Sequence, residues 1–319
     1  MSLTSLMPLV VVVVVVLILV KRGGAPWRKL RVERGQADTV MAANARMQAR
    51  NLLAFGTGTV LLALASSIGF VALSSIGFAQ TGMDLGRIIL LAPLLAAAGA
   101  VTIIAIAPTA TLNEPGGVRA ADLSPRRPWD FGSRWLFALA AGLLIVLVVA
   151  LVSLGLSADG DGRTLTRLTE FTSTSASPYP GFVFGGPILV AAVLLASAGG
   201  VALVRIAAAP RPTAEQLRVT DDVIRQVSTR LVLKLVSAAI AATLGVVLVI
   251  ASNATHSIGD EVTAGGQVLR AAVPKLEILA QVEFGTGLIL LALGVALLLW
   301  AVRDAARTPV VLESAGTPA

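Results

Sequence analysis

Seven stretches of the chain run for about 18 or more residues with almost no charge, the length an α-helix needs to cross the hydrocarbon layer of a bilayer. They fall at 3–20, 51–79, 87–107, 135–157, 182–204, 231–252 and 284–302. Polar and charged residues gather between them. The pattern predicts an all-α fold, a polytopic transmembrane helical bundle of seven spans. An N-terminal anchor (1–20) leads into a basic segment (21–50), followed by three helical hairpins at 51–107, 135–204 and 231–302. A loop (108–134), an amphipathic helix (205–230) and a tail (303–319) complete the chain. The first stretch lacks a basic residue before it and is followed directly by Lys21 and Arg22, which predicts a retained anchor rather than a cleaved signal.

Direction follows from charge. The segments 21–50, 108–134, 205–230 and 303–319 hold 19 of the 25 Lys and Arg residues, whereas the alternate segments 80–87, 157–182 and 253–282 hold five. Basic connections stay in the cytoplasm, so the expected orientation is N-out and C-in. The same rule accounts for the net charge of +7, and no nucleic-acid partner is expected.

Composition agrees. Of 319 residues 56% are hydrophobic and 13% charged, about half the charged fraction of a soluble domain, and the mean hydropathy is +0.86. Soluble, disordered and disulfide-framework classes are excluded. Arg outnumbers Lys strongly in a chain rich in Ala, Val and Gly, a bias that fits a GC-rich bacterial genome and hence a bacterial inner (plasma) membrane.

The spans repeat. Leu85-Gly86, Phe184-Gly185 and Phe284-Gly285 open the third, fifth and seventh at intervals of 99 and 100 residues, and Ala98-Gly99-Ala100-Val101 matches Ala198-Gly199-Gly200-Val201. The spans before them each begin at an Arg (Arg50, Arg134, Arg230). Phe55-Gly56-Thr57-Gly58 and Phe284-Gly285-Thr286-Gly287 form a second, cross-cutting match of the kind an inverted repeat produces. Lipid gives apolar helices no reason to associate, so small residues that permit close backbone approach mark packing faces. Gly56, Gly58, Ser66, Gly69, Ser74, Gly77, Gly99, Gly199, Gly200, Gly285 and Gly287 are the candidate helix-packing or pore-lining positions. Pro93 and Pro187 lie inside spans, where they free backbone carbonyls.

On the cytoplasmic side, Thr213 and Gln216 form a capping box, and Leu217, Val223, Ile224, Val227 and Leu231 continue with helical spacing into the sixth span. Asp38 similarly caps a helix over 37–50. Such helices either project as stalks or lie on the lipid surface. Outside, Asp159-Gly160-Asp161-Gly162 lacks the ligand spacing of a calcium loop and is expected to be a flexible linker. Val268 to Val282 carry enough periodicity for an outer helix interrupted at Pro274.

Chemistry is sparse. Lys234 and Glu283 are the candidate functional ionisable residues. Lys234 either snorkels to the headgroups or pairs with a partner carboxylate; Glu283 either marks the outer interface or forms a gate or cation site. No carboxylate or His lies mid-span for proton coupling, and no Lys lies within 284–302 to hold retinal. One His and no Cys provide no metal site, and no phosphate-binding loop is present. His256 lies in an outer connection as a solvated side chain, without a nucleophile to serve. No catalytic residue, cofactor or metal is therefore expected. The reading that results is a non-enzymatic assembly or interaction subunit, with the bilayer and a protein partner or a second copy as its associates. The alternative is a facilitative permease or channel subunit for a small or apolar solute, its path lined by Ser66, Ser67, Ser74, Ser75, Thr57 and Thr286.

Overall fold

In an apolar medium a single run of Ala, Leu, Val and Ile satisfies its own backbone polar groups by forming a helix, and helices dominate the structure. It is a computed structural model describing residues 30–32, 37–75, 81–107, 127–168, 173–210, 215–260, 262–264, 267–270, 273–306 and 310–312. Strand β1 (Leu30–Val32) precedes helices α1 (Ala37–Ser75) and α2 (Thr81–Ile106). A 3₁₀ turn (Pro128–Asp130) leads into α3 (Arg134–Ser157). The hairpin β2 (Leu165–Leu168) and β3 (Ser173–Ala176) comes next, then α4 (Phe182–Ala208) and α5 (Glu215–Gly259). A second hairpin, β4 (Val262–Ala264) and β5 (Gln267–Arg270), joins α5 to α6 (Pro274–Ala306), and β6 (Val310–Leu312) follows.

Four helices among the described residues are long and apolar enough to cross a membrane: Arg134–Ser157, Phe182–Ala208, Arg218–Gly259 and Pro274–Ala305. Leu90–Ile106 in α2 forms a shorter apolar stretch. The expected span 51–79 is helical through Ser75, and the expected anchor at 3–20 lies outside the described residues.

Helix α5 is the axis of the bundle. It packs against α2, α3, α4 and α6, while α1 packs on α2. Of its apolar window 72% is buried, against 22–33% in the other three long helices. Those three turn large apolar side chains such as Ile145, Leu156, Val190 and Val295 outward, as suits a lipid solvent.

The tightest contact joins α5 to α6. A Cβ at Gly245 would lie 2.7 Å from the Gly287 carbonyl oxygen, and one at Gly287 would lie 2.8 Å from that of Gly245. Gly294 repeats the arrangement two steps along, with the Ala238 carbonyl oxygen 2.9 Å from its missing Cβ. These contact positions recur at four- and three-residue steps on both helices, the spacing of a coiled-coil seam. Elsewhere a Cβ at Gly58 would lie 3.4 Å from Ala100 and from the Ala96 carbonyl oxygen of α2, and one at Gly199 would lie 3.3 Å from Val236 of α5. Gly56, Gly200 and Gly285 face open space. Gly99 is half-buried. Ser66, Gly69 and Ser74 belong to the α1 backbone, with surroundings outside the described residues, as is Gly77 altogether. Pro93 and Pro187 sit inside α2 and α4.

Two connections differ from expectation. The segment after α3 is an ordered hairpin rather than a linker, with Leu165 opposite Ala176 and Leu168 opposite Ser173. Its lead-in turn uses both aspartates as hydrogen-bond acceptors. Asp159 accepts from the hydroxyls of Thr164 and Thr166. Asp161 accepts from the backbone amides of Arg163 and Thr164, each at 3.0 Å, and these bonds, the Arg163 amide first, hold its carboxyl below the usual carboxylate range. Gly162 has a φ of +64°, which favours glycine at this turn. The second difference is at Pro274. There is no helix interrupted by proline; a strand ends at Arg270 and α6 starts on Pro274, where the missing N–H costs no helical hydrogen bond.

The connections sort to two ends. Arg167 donates to the Ile258 carbonyl at 3.3 Å, bringing the β2–β3 hairpin to the C-terminal end of α5. At the opposite end β1 and β6 pair in parallel, Leu30 beside Val310.

The α5–α6 seam separates glycines that matter from those that do not. Gly245→Ala and Gly287→Ala should each destabilise the protein by about 1–3 kcal/mol through overpacking. Gly56→Ala and Gly200→Ala should be neutral or stabilising by roughly 0.5–1 kcal/mol, since alanine is the better helix former. Unfolding in mild detergent measures both; equal losses at all four positions would refute the seam.

Candidate functional site

Buried charge concentrates on the first half of α5. Asp221, Arg225 and Lys234 are all less than 10% exposed, as are Thr220, Ser228 and Thr229. Charge at such burial survives only when paired or hydrogen-bonded, so each group's partners explain its presence.

Arg225 is fully engaged. Its Nε donates to Asp221 Oδ2 at 2.8 Å, one turn back on the same helix. Its Nη1 reaches the carbonyls of Ile206 and Ala207 at 2.9 and 3.1 Å, and its Nη2 those of Ala209 and Pro210 at 2.8 and 3.2 Å. Those of Ile206 and Ala207 are among the last carbonyls of α4, which lack helical partners, and those of Ala209 and Pro210 belong to the chain just beyond it. A guanidinium at a helix C-terminus also meets the negative end of the helix dipole. Phe131, just beyond the 3₁₀ turn, places its ring 5.6 Å from the guanidinium carbon. One side chain thus joins α4, α5 and the lead-in to α3.

Lys234 does not snorkel to the surface. Its Nζ lies 2.5 Å from Oδ2 of Asp304 on α6 and 4.9 Å from the centre of the Trp300 ring. A carboxylate and an aromatic face together replace the water that the ammonium gives up.

Arg50 is different. It lies on α1, is 5% exposed and donates to Ser228 Oγ at 2.8 Å and to Asn51 Oδ1 at 3.4 Å. No carboxylate among the described residues pairs with it, and its Nε has no acceptor. It borders a small cavity of about 20 Å³ with Ile206, Asp221, Arg225 and Ser228.

Glu283, near the opposite end of the bundle, is half-buried. Thr255 hydrogen-bonds to its carboxylate, and Oε2 is buried with no partner. Nearby, the hydroxyls of Tyr179 and Ser157 are 2.9 Å apart. His256 is exposed and lies 2.9 Å from Asp260, a surface i,i+4 pair. Among the described residues no three His, Cys, Asp or Glu side chains are grouped to hold a metal.

The two candidate ionisable residues therefore sit at opposite ends of the bundle, and neither joins the glycine positions in one site. Sequence reasoning missed Arg50, Asp221, Arg225 and Asp304 as a group, along with Gly245. The i,i+4 spacing of Asp221 and Arg225 was the one local signal. The Lys234–Asp304 pair is seventy residues apart in sequence and has none.

Asp304→Asn should cost about 3–5 kcal/mol, because it strands a buried ammonium. The double variant Lys234→Met/Asp304→Leu should recover most of that loss, since it removes both charges. Thermal unfolding of the three proteins in detergent tests this. A single-variant loss below about 1 kcal/mol would show the pair to be solvated. Comparison of the chain with protein-family models, curated proteins and solved structures gives no match.

Proposed function

We propose that this chain is a non-enzymatic integral protein of a bacterial inner (plasma) membrane, crossing it seven times with N-out and C-in topology, and that it acts as an assembly or interaction subunit. The observation that carries the reading is the length of α5 and α1 at the Arg225 end. Residues 215–230 extend α5 by about 24 Å before its apolar span, and residues 37–50 extend α1 by about 21 Å. A span alone needs roughly 20 residues, and α5 has 45. The extensions carry exposed Arg46, Arg218 and Val219, a mixed basic and apolar surface suited to a protein partner.

Sidedness supports the same reading. The connections gathered at the Arg225 end come from the basic segments, and those gathered around Ile258 come from the segments poor in Lys and Arg. A hydroxyl-lined solute path has less support. Thr57 and Thr59 of α1 donate back to the carbonyls of Leu53 and Phe55, as Thr102 does to Ala98.

Affinity purification in mild detergent should recover a stoichiometric companion or a homo-oligomer, and a clean monomer that retains nothing would count against assembly. Because the chain has no Cys, single-cysteine variants report topology without background. Arg28→Cys and Arg211→Cys should be shielded from an impermeant maleimide in intact cells, whereas Thr174→Cys should label. Labelling of Arg28→Cys or Arg211→Cys from outside would overturn the orientation.

A further inference from the structure

Among the described residues three cationic side chains are buried near the Arg225 end, and two have carboxylate partners in contact: Asp221 for Arg225 and Asp304 for Lys234. Arg50 has a hydroxyl and an amide in their place, with its Nε unmet. A buried guanidinium without a counter-charge is costly, and an anion supplied from outside the chain removes that cost. The adjoining cavity admits one oxygen-sized group. An oxyanion would place one oxygen there, on Arg50 and Ser228, and keep its central atom at the mouth. Asp221 sits across the cavity but is already neutralised by Arg225.

A second feature lies along the same stripe of α5. Ser228 and Leu235 are seven residues apart, two helical turns and about 10 Å. Leu235 begins an apolar cleft of about 280 Å³ formed by α1, α2, α5 and α6, with Phe55, Ala97, Ala239 and Leu298 in its walls. The cleft is large enough to hold part of a hydrocarbon chain. A buried cation with no carboxylate in contact among the described residues, two helical turns along α5 from an apolar cleft, matches an amphiphile with an anionic head.

We infer that Arg50 binds a phosphate-type oxyanion, and that the neighbouring cleft makes an anionic phospholipid its natural carrier. Arg50 gives the oxyanion one charge-assisted hydrogen bond, and Ser228 can donate a second.

The test uses the full chain purified in mild detergent. Thermal stability is followed while phosphatidylglycerol, phosphatidylcholine, diacylglycerol or inorganic phosphate is added. Phosphatidylglycerol should raise the unfolding temperature, with little effect from phosphatidylcholine or diacylglycerol. Arg50→Gln should weaken its apparent affinity roughly tenfold, the loss of one charge-assisted bond. Arg46→Gln removes an exposed charge one turn away and should leave the affinity unchanged. Where Arg50→Gln does not fold, Arg50→Lys replaces it, keeping the charge and losing the fork, with a smaller loss expected. Ala97→Leu, which narrows the cleft, should weaken the lipid without altering any response to phosphate. A shift from inorganic phosphate equal to that from the lipid would keep the anion site and assign its ligand to the aqueous phase. No shift from either anion, or an equal response in wild type and the Arg50 variant, would overturn the site.

Discussion

Close approach of two backbones holds the bundle in register. Lipid tails are as apolar as Leu and Val, so side-chain burial alone does not choose one helix pairing over another. At Gly245 and Gly287 each helix presents a carbonyl where the other lacks a Cβ, at distances that no larger residue permits without displacement. Dispersion contacts are then made along a continuous seam rather than at side-chain tips. The seam also sets α6 lengthwise against α5, and that register is what carries Asp304 to Lys234.

Polarity along α5 is graded. Its charged buried residues, Asp221, Arg225 and Lys234, all precede Leu235; beyond it the buried polar side chains are hydroxyls only, Ser237, Thr243, Ser252 and Thr255. A charge at the centre of a bilayer costs about 2.5–3.5 kcal/mol even by lenient scales, whereas a hydroxyl costs far less. The gradient resists sliding of α5 into the hydrocarbon and so sets its depth. Arg225 adds rigidity at the charged end, because binding the last carbonyls of α4 fixes where that helix stops.

Hydrophobic runs in the sequence placed the long helices well, since length and absence of charge are direct consequences of what a bilayer demands. The continuation of the 205–230 segment into the sixth span was also legible, through the spacing of Val223, Ile224 and Val227. Which glycines pack was not. Gly56 and Gly287 are equally small, and only the neighbouring helix decides that one faces open space and the other a carbonyl. Gly245 stands alone in an apolar run and carries no pattern of its own. The turn around Asp159 and Asp161 was read as a linker because its hydrogen bonds depend on Thr164 and Thr166 folding back. Arg50 was visible only as the residue before an apolar run, and its lack of a carboxylate partner among the described residues is a tertiary fact.

The short parallel pairing of β1 with β6 has a kinetic corollary. The strand at Leu30–Val32 finds its partner only at Val310–Leu312, so the pair closes only after the helices between them have been made. Such sequence-distant contacts form late and slowly, and until then the Leu30–Val32 edge has unpaired amides and carbonyls. The join thus works as a latch, made once every helix between its two halves is in place.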